Sequence, residues 1–246
     1  IQSTDDQVIR SCIHLVSAGN LTYTFSFMND LLRQSRFRPE IIVRLALTGN
    51  AVLPYLEQII KRHFSVRIKL CATQVCALMG TKEAGDYLLE LFFNTGKWMQ
   101  LEVGAVLNEM DYKVLADEQR LKVKELLRDT LGQVIWIEAS LEDLKGNEQV
   151  GLLEEALTQE RKFYITLFYE LLGLIEDKSV VELIRENVAG EEKVFALEII
   201  DNFVSEDLKE YLVPIVGEVG GSQTQKTKNQ FLQKTYSVRN RLRDII

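Results

Sequence analysis

The sequence predicts an all-α fold, an α-solenoid in which antiparallel helix pairs stack into a right-handed superhelix. The main observation is an apolar pattern that recurs at about 30-residue spacing, as in helical-repeat proteins. At an offset of 32, Leu47, Val52, Tyr55 and Leu56 match Met79, Ala84, Tyr87 and Leu88. The composition agrees, because the chain has only three prolines and 46% of its residues are apolar.

Turn and capping residues divide the first half of the sequence into short helices. Gly19, Gly49 and Gly80 are typical of helix carboxyl ends, whereas Pro39 fits a first helical turn. Asn50 and Thr81 are typical N-caps, and Asn94 to Gly96 form another break. We therefore predict helices over residues 5–18, 21–32, 39–47, 50–63, 65–79, 81–93 and 98–109.

The repeat register slips near residues 110–117, and the second half begins with an unusually long helix, predicted over 117–140. Shorter helices are predicted over 160–176, 179–188, 191–204 and 205–216. We expect one continuous array over 1–216, with a bend near 110–117. A flexible loop rich in Gly, Ser, Gln and Thr (217–227) and a C-terminal amphipathic helix (228–246) would follow.

Two stretches of the second half resemble a known family. They are LLGLIED (171–177) and FALEIIDNFVSEDLKEYLVPI (195–215). They resemble the HEAT-repeat region of bacterial proteins related to ATP/ADP translocases, and the helix pairs are HEAT- or armadillo-like. The resemblance implies a soluble appendage of a transporter-like protein and transfers no functional residue. Because the sequence begins with Ile1, we expect it to be part of a longer, perhaps transporter-linked parent.

The residue types needed for catalysis or metal binding are sparse. The two histidines are His14 and His63, and the helical spacing of Cys71 and Cys76 does not converge on a zinc ion. Neither a phosphate-binding loop nor a hydrolase motif occurs. We expect no catalytic residue, cofactor or metal, and three cysteines suit a reducing compartment.

Charge is distributed unevenly, although the net charge is −7. Residues 33–69 are mainly basic, whereas residues 138–218 contain 20 acidic and 7 basic residues. The candidate surface for an anion or a partner is Arg33, Arg36, Arg38, Lys61, Arg62, Arg67 and Lys69. An anionic membrane, a nucleic acid and an acidic protein patch remain open as its partner, and the alternative is an ordinary solvated face. The pI of about 5.1 disfavours nucleic acid.

Aromatic residues form a second candidate surface. Phe92, Phe93 and Trp98 are close in sequence, and one helical stripe cannot bury all three. They could line an apolar groove, and the alternative is that they belong to the core.

Two classes of function are compatible with these features. The first is a non-enzymatic scaffold, a protein-interaction or regulatory module that holds a protein partner or an attached membrane domain. The second is a HEAT-like nucleic-acid-binding protein or enzyme, of the DNA glycosylase or bilin lyase type. The sequence favours the scaffold and shows no small-molecule substrate. We expect it in the cytoplasm, with apposition to a membrane if the parent is a membrane protein.

Overall fold

The computed structural model describes residues 6–18, 31–62, 65–145, 148–189, 193–206, 208–209 and 212. Ten α-helices have described bounds: α1 Asp6–Ala18, α2 Arg38–Leu47, α3 Leu53–Arg62, α4 Val66–Met79, α5 Lys82–Phe93, α6 Lys97–Glu109, α7 Asp117–Leu144, α8 Gly151–Gly173, α9 Lys178–Ala189 and α10 Lys193–Phe203. Two 3-10 helices, Gly49–Val52 and Glu148–Val150, precede α3 and α8. No β-strand occurs within the described residues, so the all-α prediction is confirmed.

Glycine and threonine set the helix ends in the first half, as predicted. Gly49 and Gly80 have φ values of +64° and +59°, in the left-handed region that a side chain disfavours. Thr81 caps α5, because its hydroxyl accepts a hydrogen bond from the Ala84 amide. The prediction that Asn50 caps the next helix is wrong. Asn50 lies in the 3-10 helix, and α3 begins at Leu53, where Pro54 suits the first turn.

The largest differences from the predicted bounds concern α7 and α8. Helix α7 continues to Leu144, beyond the predicted residue 140, and α8 begins at Gly151, before the predicted residue 160. The two helices pack closely, with a buried apolar cluster between their adjoining ends. That cluster contains Val134, Ile137, Leu144, Leu157 and Tyr164. Burial of this cluster stabilises the last turn of α7 and the first turns of α8. The sequence pattern missed these turns because many of their residues are polar.

The chain divides into two compact units, residues 1–112 (unit 1) and 113–246 (unit 2). The boundary lies within the segment 110–117 where the repeat register slips. In unit 1, α4 is central and packs against α2, α3, α5 and α6. In unit 2, α8 packs against α7 and α9, and α9 packs against α10.

Several predicted segments lie outside the described residues. These are most of the helices predicted over 21–32 and 205–216, the loop 217–227 and the helix 228–246. The continuity of the array through 1–216 stays a prediction.

Candidate interaction surfaces

Helices α1 and α2 run in the same direction. Arg36 Nη1 lies 2.8 Å from Asp6 Oδ1, Arg10 pairs with Glu40, and Arg44 Nη2 lies 3.1 Å from His14 Nε2. Each pair joins residues that are 30 positions apart. Because the contacts advance along both helices together, the two helices are parallel.

Helices α2 and α4 are also parallel. At their amino ends, the positive charges of Arg38 and Arg67 both act on the Cys71 thiol. At their carboxyl ends, the Thr81 hydroxyl lies 2.9 Å from Asn50 Oδ1, and it donates to that oxygen across 31 positions of sequence. The amino ends of α2 and α4 therefore lie at one end of unit 1, and their carboxyl ends lie at the other.

The carboxyl ends of α1, α2 and α4 each carry one exposed leucine. Leu15, Leu47 and Leu78 are 71%, 70% and 58% exposed. Because the three helices are parallel, these side chains lie at the same end of unit 1, which we call the leucine end. The repeat pattern identified the region of Leu47, but it does not show that these leucines are left in solvent. Exposed apolar side chains that recur on successive repeats are typical of a protein-binding surface.

The predicted basic residues differ in exposure, in position and in whether their charge is paired. Arg33, Arg36 and Arg67 are exposed, whereas Arg38 and Lys69 are half-buried. These five lie around the amino ends of α2 and α4, which we call the basic end. Lys61 instead pairs with Glu57 on its own helix, and this contact raises the pKa of Lys61. The side chain of Arg62 lies outside the described residues.

Phe37 and Cys71 are buried residues that contact or lie close to the arginines of the basic end. The guanidinium carbons of Arg36 and Arg10 lie 4.7 Å and 5.7 Å from the centre of the Phe37 ring, which suits cation–π contacts. Phe37 is fully buried, so its ring offers no face on which a nucleic-acid base could stack. Burial raises the pKa of the Cys71 thiol, and the charges of Arg38 and Arg67 oppose that shift. The thiol is therefore a neutral core group.

The three predicted groove aromatics are not equivalent. Phe92 is fully buried and packs edge-to-face on Phe93, with ring centres 5.8 Å apart. Its carbonyl oxygen accepts a hydrogen bond from the buried side-chain amide of Gln100. Phe93 is half-buried, and Trp98 is 45% exposed. Phe92 is a core residue, and Trp98 contributes the largest exposed surface of the three.

Unit 2 repeats the contact spacing of unit 1. The Ser205 hydroxyl donates a 2.7 Å hydrogen bond to Glu176 Oε1, 29 positions earlier. At the start of the unit, Lys113 Nζ donates to the carbonyl oxygens of Gly173 and Glu176, at 2.7 Å and 2.9 Å. The Val114 amide adds a bond to Leu174 at 2.9 Å. These bonds satisfy carbonyl groups at and beyond the end of α8, which the helix itself leaves unpaired.

Other chemistry is limited in the described part of the chain. None of its helices combines the length and apolar character needed to cross a bilayer. No group of three or more His, Cys, Asp or Glu side chains in that part is arranged to hold a metal ion. His14 lies in the ion-pair network between α1 and α2, with Nε2 3.0 Å from Glu40 Oε1. His63 lies outside the described residues.

The described residues define an all-α protein with helices packed against one another in each unit. Comparison with protein families, with curated proteins and with solved structures found no match to the chain.

Proposed function

We propose that the chain is a non-enzymatic helical-repeat scaffold of the HEAT type, which binds a protein partner or an attached membrane domain. The observation that carries the proposal is the nearly constant sequence separation of the side chains that join neighbouring helices. It is 30 between α1 and α2, 31 between Asn50 and Thr81, and 29 between Glu176 and Ser205. A stack with this regularity presents equivalent positions of successive repeats side by side.

The leucine end is the surface that best suits a protein partner. Leu15 and Leu47 are 32 positions apart, and Leu47 and Leu78 are 31 positions apart. Burial of one such side chain in a complex contributes about 1.5–3 kcal/mol, so two or three of them can anchor an interface. The resemblance to the HEAT region of ATP/ADP-translocase-like proteins supports a regulatory role beside a transporter. We place this role in the cytoplasm, next to the membrane.

Site-specific photocrosslinking tests the proposal. A photoreactive amino acid at Leu47 or at Leu78 should capture the same partner in the native cell. The matched control is Glu90, an exposed residue of unit 1 on the antiparallel helix α5, which should capture much less of it.

The captured partner is then purified and its affinity for the full chain is measured. The variant Leu47→Asp/Leu78→Asp should weaken binding at least about tenfold, because two apolar anchors are lost. Equal capture at Glu90, or an unchanged Kd for the double variant, would overturn the proposal.

A further inference from the structure

Some of the cations at the basic end are paired within the fold, and others are not. Asp6 pairs with Arg36, and Glu40 pairs with Arg10. By contrast, no carboxylate of the described residues lies within 4.0 Å of the charged groups of Arg33, Arg67 or Lys69. Cations that the fold leaves unneutralised attract a ligand of opposite charge.

The helix ends add to the positive potential. Helix α2 begins after Phe37 and α4 begins after Ser65, and neither residue makes a side-chain capping hydrogen bond. In α4 the amides of Val66 and Arg67 precede the first backbone bond, which runs from Ile68 to Ser65, whereas α2 offers fewer amides because Pro39 has no N–H. Unpaired amides and the positive ends of two parallel helix dipoles favour a carboxylate or a phosphate.

The surface between these groups also has apolar character. Val66, in the first turn of α4, is 46% exposed next to Arg67, and Pro39 is exposed in the first turn of α2. A ligand that carries both acidic and apolar side chains matches this combination better than a purely ionic one.

The overall charge of the chain disfavours a nucleic acid as the ligand, because the net charge is −7 and the pI is about 5.1, whereas nucleic-acid-binding domains are usually basic.

We propose that the basic end binds an acidic peptide segment of a protein partner. Its carboxylates contact Arg33, Arg67 and Lys69 and the first amides of α4. Its apolar side chains lie against Val66. This inference rests on the proposed scaffold role and names the chemistry of one partner and the surface that receives it.

Fluorescence anisotropy with the full chain tests the inference. The probe is a short fluorescein-labelled peptide of glutamate and leucine, and the matched peptide carries glutamine in place of glutamate. The chain should bind the glutamate peptide at least about tenfold more tightly, and added salt should reduce the difference.

Charge reversal locates the binding surface. The variant Arg33→Glu/Arg67→Glu/Lys69→Glu should weaken binding of the glutamate peptide at least about tenfold. The control variant Lys82→Glu/Arg128→Glu/Lys162→Glu makes the same change in net charge at exposed positions elsewhere, and should alter the Kd less than about twofold. Far-UV circular dichroism verifies that both variants retain the helical content of the parent.

Three results would overturn the inference. They are equal binding of the two peptides, equal loss of affinity in the two variants, and tighter binding to duplex DNA or to phosphatidylserine vesicles than to the peptide at the same salt. The scaffold proposal is tested separately, because its photocrosslinks are made at the opposite end of unit 1. If the basic-end variant still captures the partner through Leu47 but no variant binds the acidic peptide, only this inference fails.

Discussion

The ring of Tyr112 lies against Gly85, where an added Cβ atom would be 2.2 Å from the Cδ2 atom of the ring. The hydroxyl of the same tyrosine donates a hydrogen bond to Asp86, the next residue of α5. Just before Tyr112, the amides of Asp111 and Tyr112 bond to Asn108 and Leu107, while Asp111 takes a positive φ of 52°. This carboxyl-terminal turn of α6 places the tyrosine on α5.

Gly85→Ala should destabilise unit 1, although alanine is the better helix former. The alanine methyl group and the ring cannot occupy the same space, and such overpacking costs about 1–3 kcal/mol. The helix-propensity gain of about 1 kcal/mol offsets only part of that cost. The control is Gly132→Ala in α7, where no atom lies within 4 Å of the added methyl group, and it should stabilise unit 2. Urea unfolding of both variants measures the difference, and a gain in stability for Gly85→Ala would contradict this packing.

Tyr169→Phe should leave stability unchanged or raise it by about 1 kcal/mol. The Tyr169 hydroxyl is buried without a hydrogen-bond partner in the described structure, so removing it relieves an uncompensated desolvation cost. Tyr112→Phe removes a hydroxyl that does have a partner, and should cost about 0.5–1.5 kcal/mol. Thermal unfolding of the two variants provides the comparison. A loss for Tyr169→Phe equal to that for Tyr112→Phe would show that Tyr169 is hydrogen-bonded.

The free energy of unfolding should begin to fall near pH 9. Burial raises the pKa of Cys76 from 9.0 to about 12, and burial raises the pKa of Tyr169 from 10.0 to about 12 against the opposing charge of Arg185. The folded chain keeps these protons at pH values where the unfolded chain releases them. The stability contribution is therefore complete below pH 9 and is lost as the pH rises toward 12. The slope is at most about 1.4 kcal/mol per pH unit for each group.

The variant Cys76→Ala isolates one of these contributions. It should be less stable than the parent at neutral pH, because a buried side chain is shortened, yet its stability should fall less steeply between pH 9 and 10. Urea midpoints across that range are the measurement. Parallel curves for parent and variant would contradict a neutral, buried thiol at this position.

Lys113→Met should destabilise unit 2 by about 1.5–3 kcal/mol. The substitution removes a charged donor from the carbonyl groups of Gly173 and Glu176 while retaining an apolar stem. Lys122→Met is the matched control, because in the described structure Lys122 pairs with Glu118 at an exposed position, where an ion pair contributes little. Both free energies of unfolding come from denaturant titrations. Similar losses for the two lysines would show that the cap at the end of α8 adds nothing.

The helices could largely be predicted from local signals, because Gly49, Gly80 and Thr81 act within one turn of their own position. The same local rules misplaced Asn50 as a helix cap. Its side chain accepts a hydrogen bond from Thr81, a residue 31 positions later in the chain. The amino end of α8 was also missed. Packing on α7 stabilises it, and a local sequence pattern does not reveal a contact with a distant helix.

The candidate surfaces were only partly predictable, since exposure depends on neighbours that are distant in sequence. The charge pattern identified Arg33, Arg36 and Arg67, which the structure places at one end of unit 1. It did not separate them from Lys61, whose charge is paired with Glu57. The apolar pattern treated Leu47 as part of the repeat without indicating that it remains in solvent.

The parallel arrangement of α2 and α4 underlies both the scaffold proposal and the two ends of unit 1. Electron–electron double resonance between nitroxide labels tests it directly, in a Cys12→Ser chain whose buried Cys71 and Cys76 resist labelling. One sample carries labels at Leu47 and Leu78, and the other at Leu47 and Val66, all of which are exposed. Val66 is about 18 Å from Leu78 along the α4 axis, at about 1.5 Å per residue. Parallel helices give a shorter distance for Leu47 with Leu78 than for Leu47 with Val66, and the reverse order would show that α2 and α4 are antiparallel.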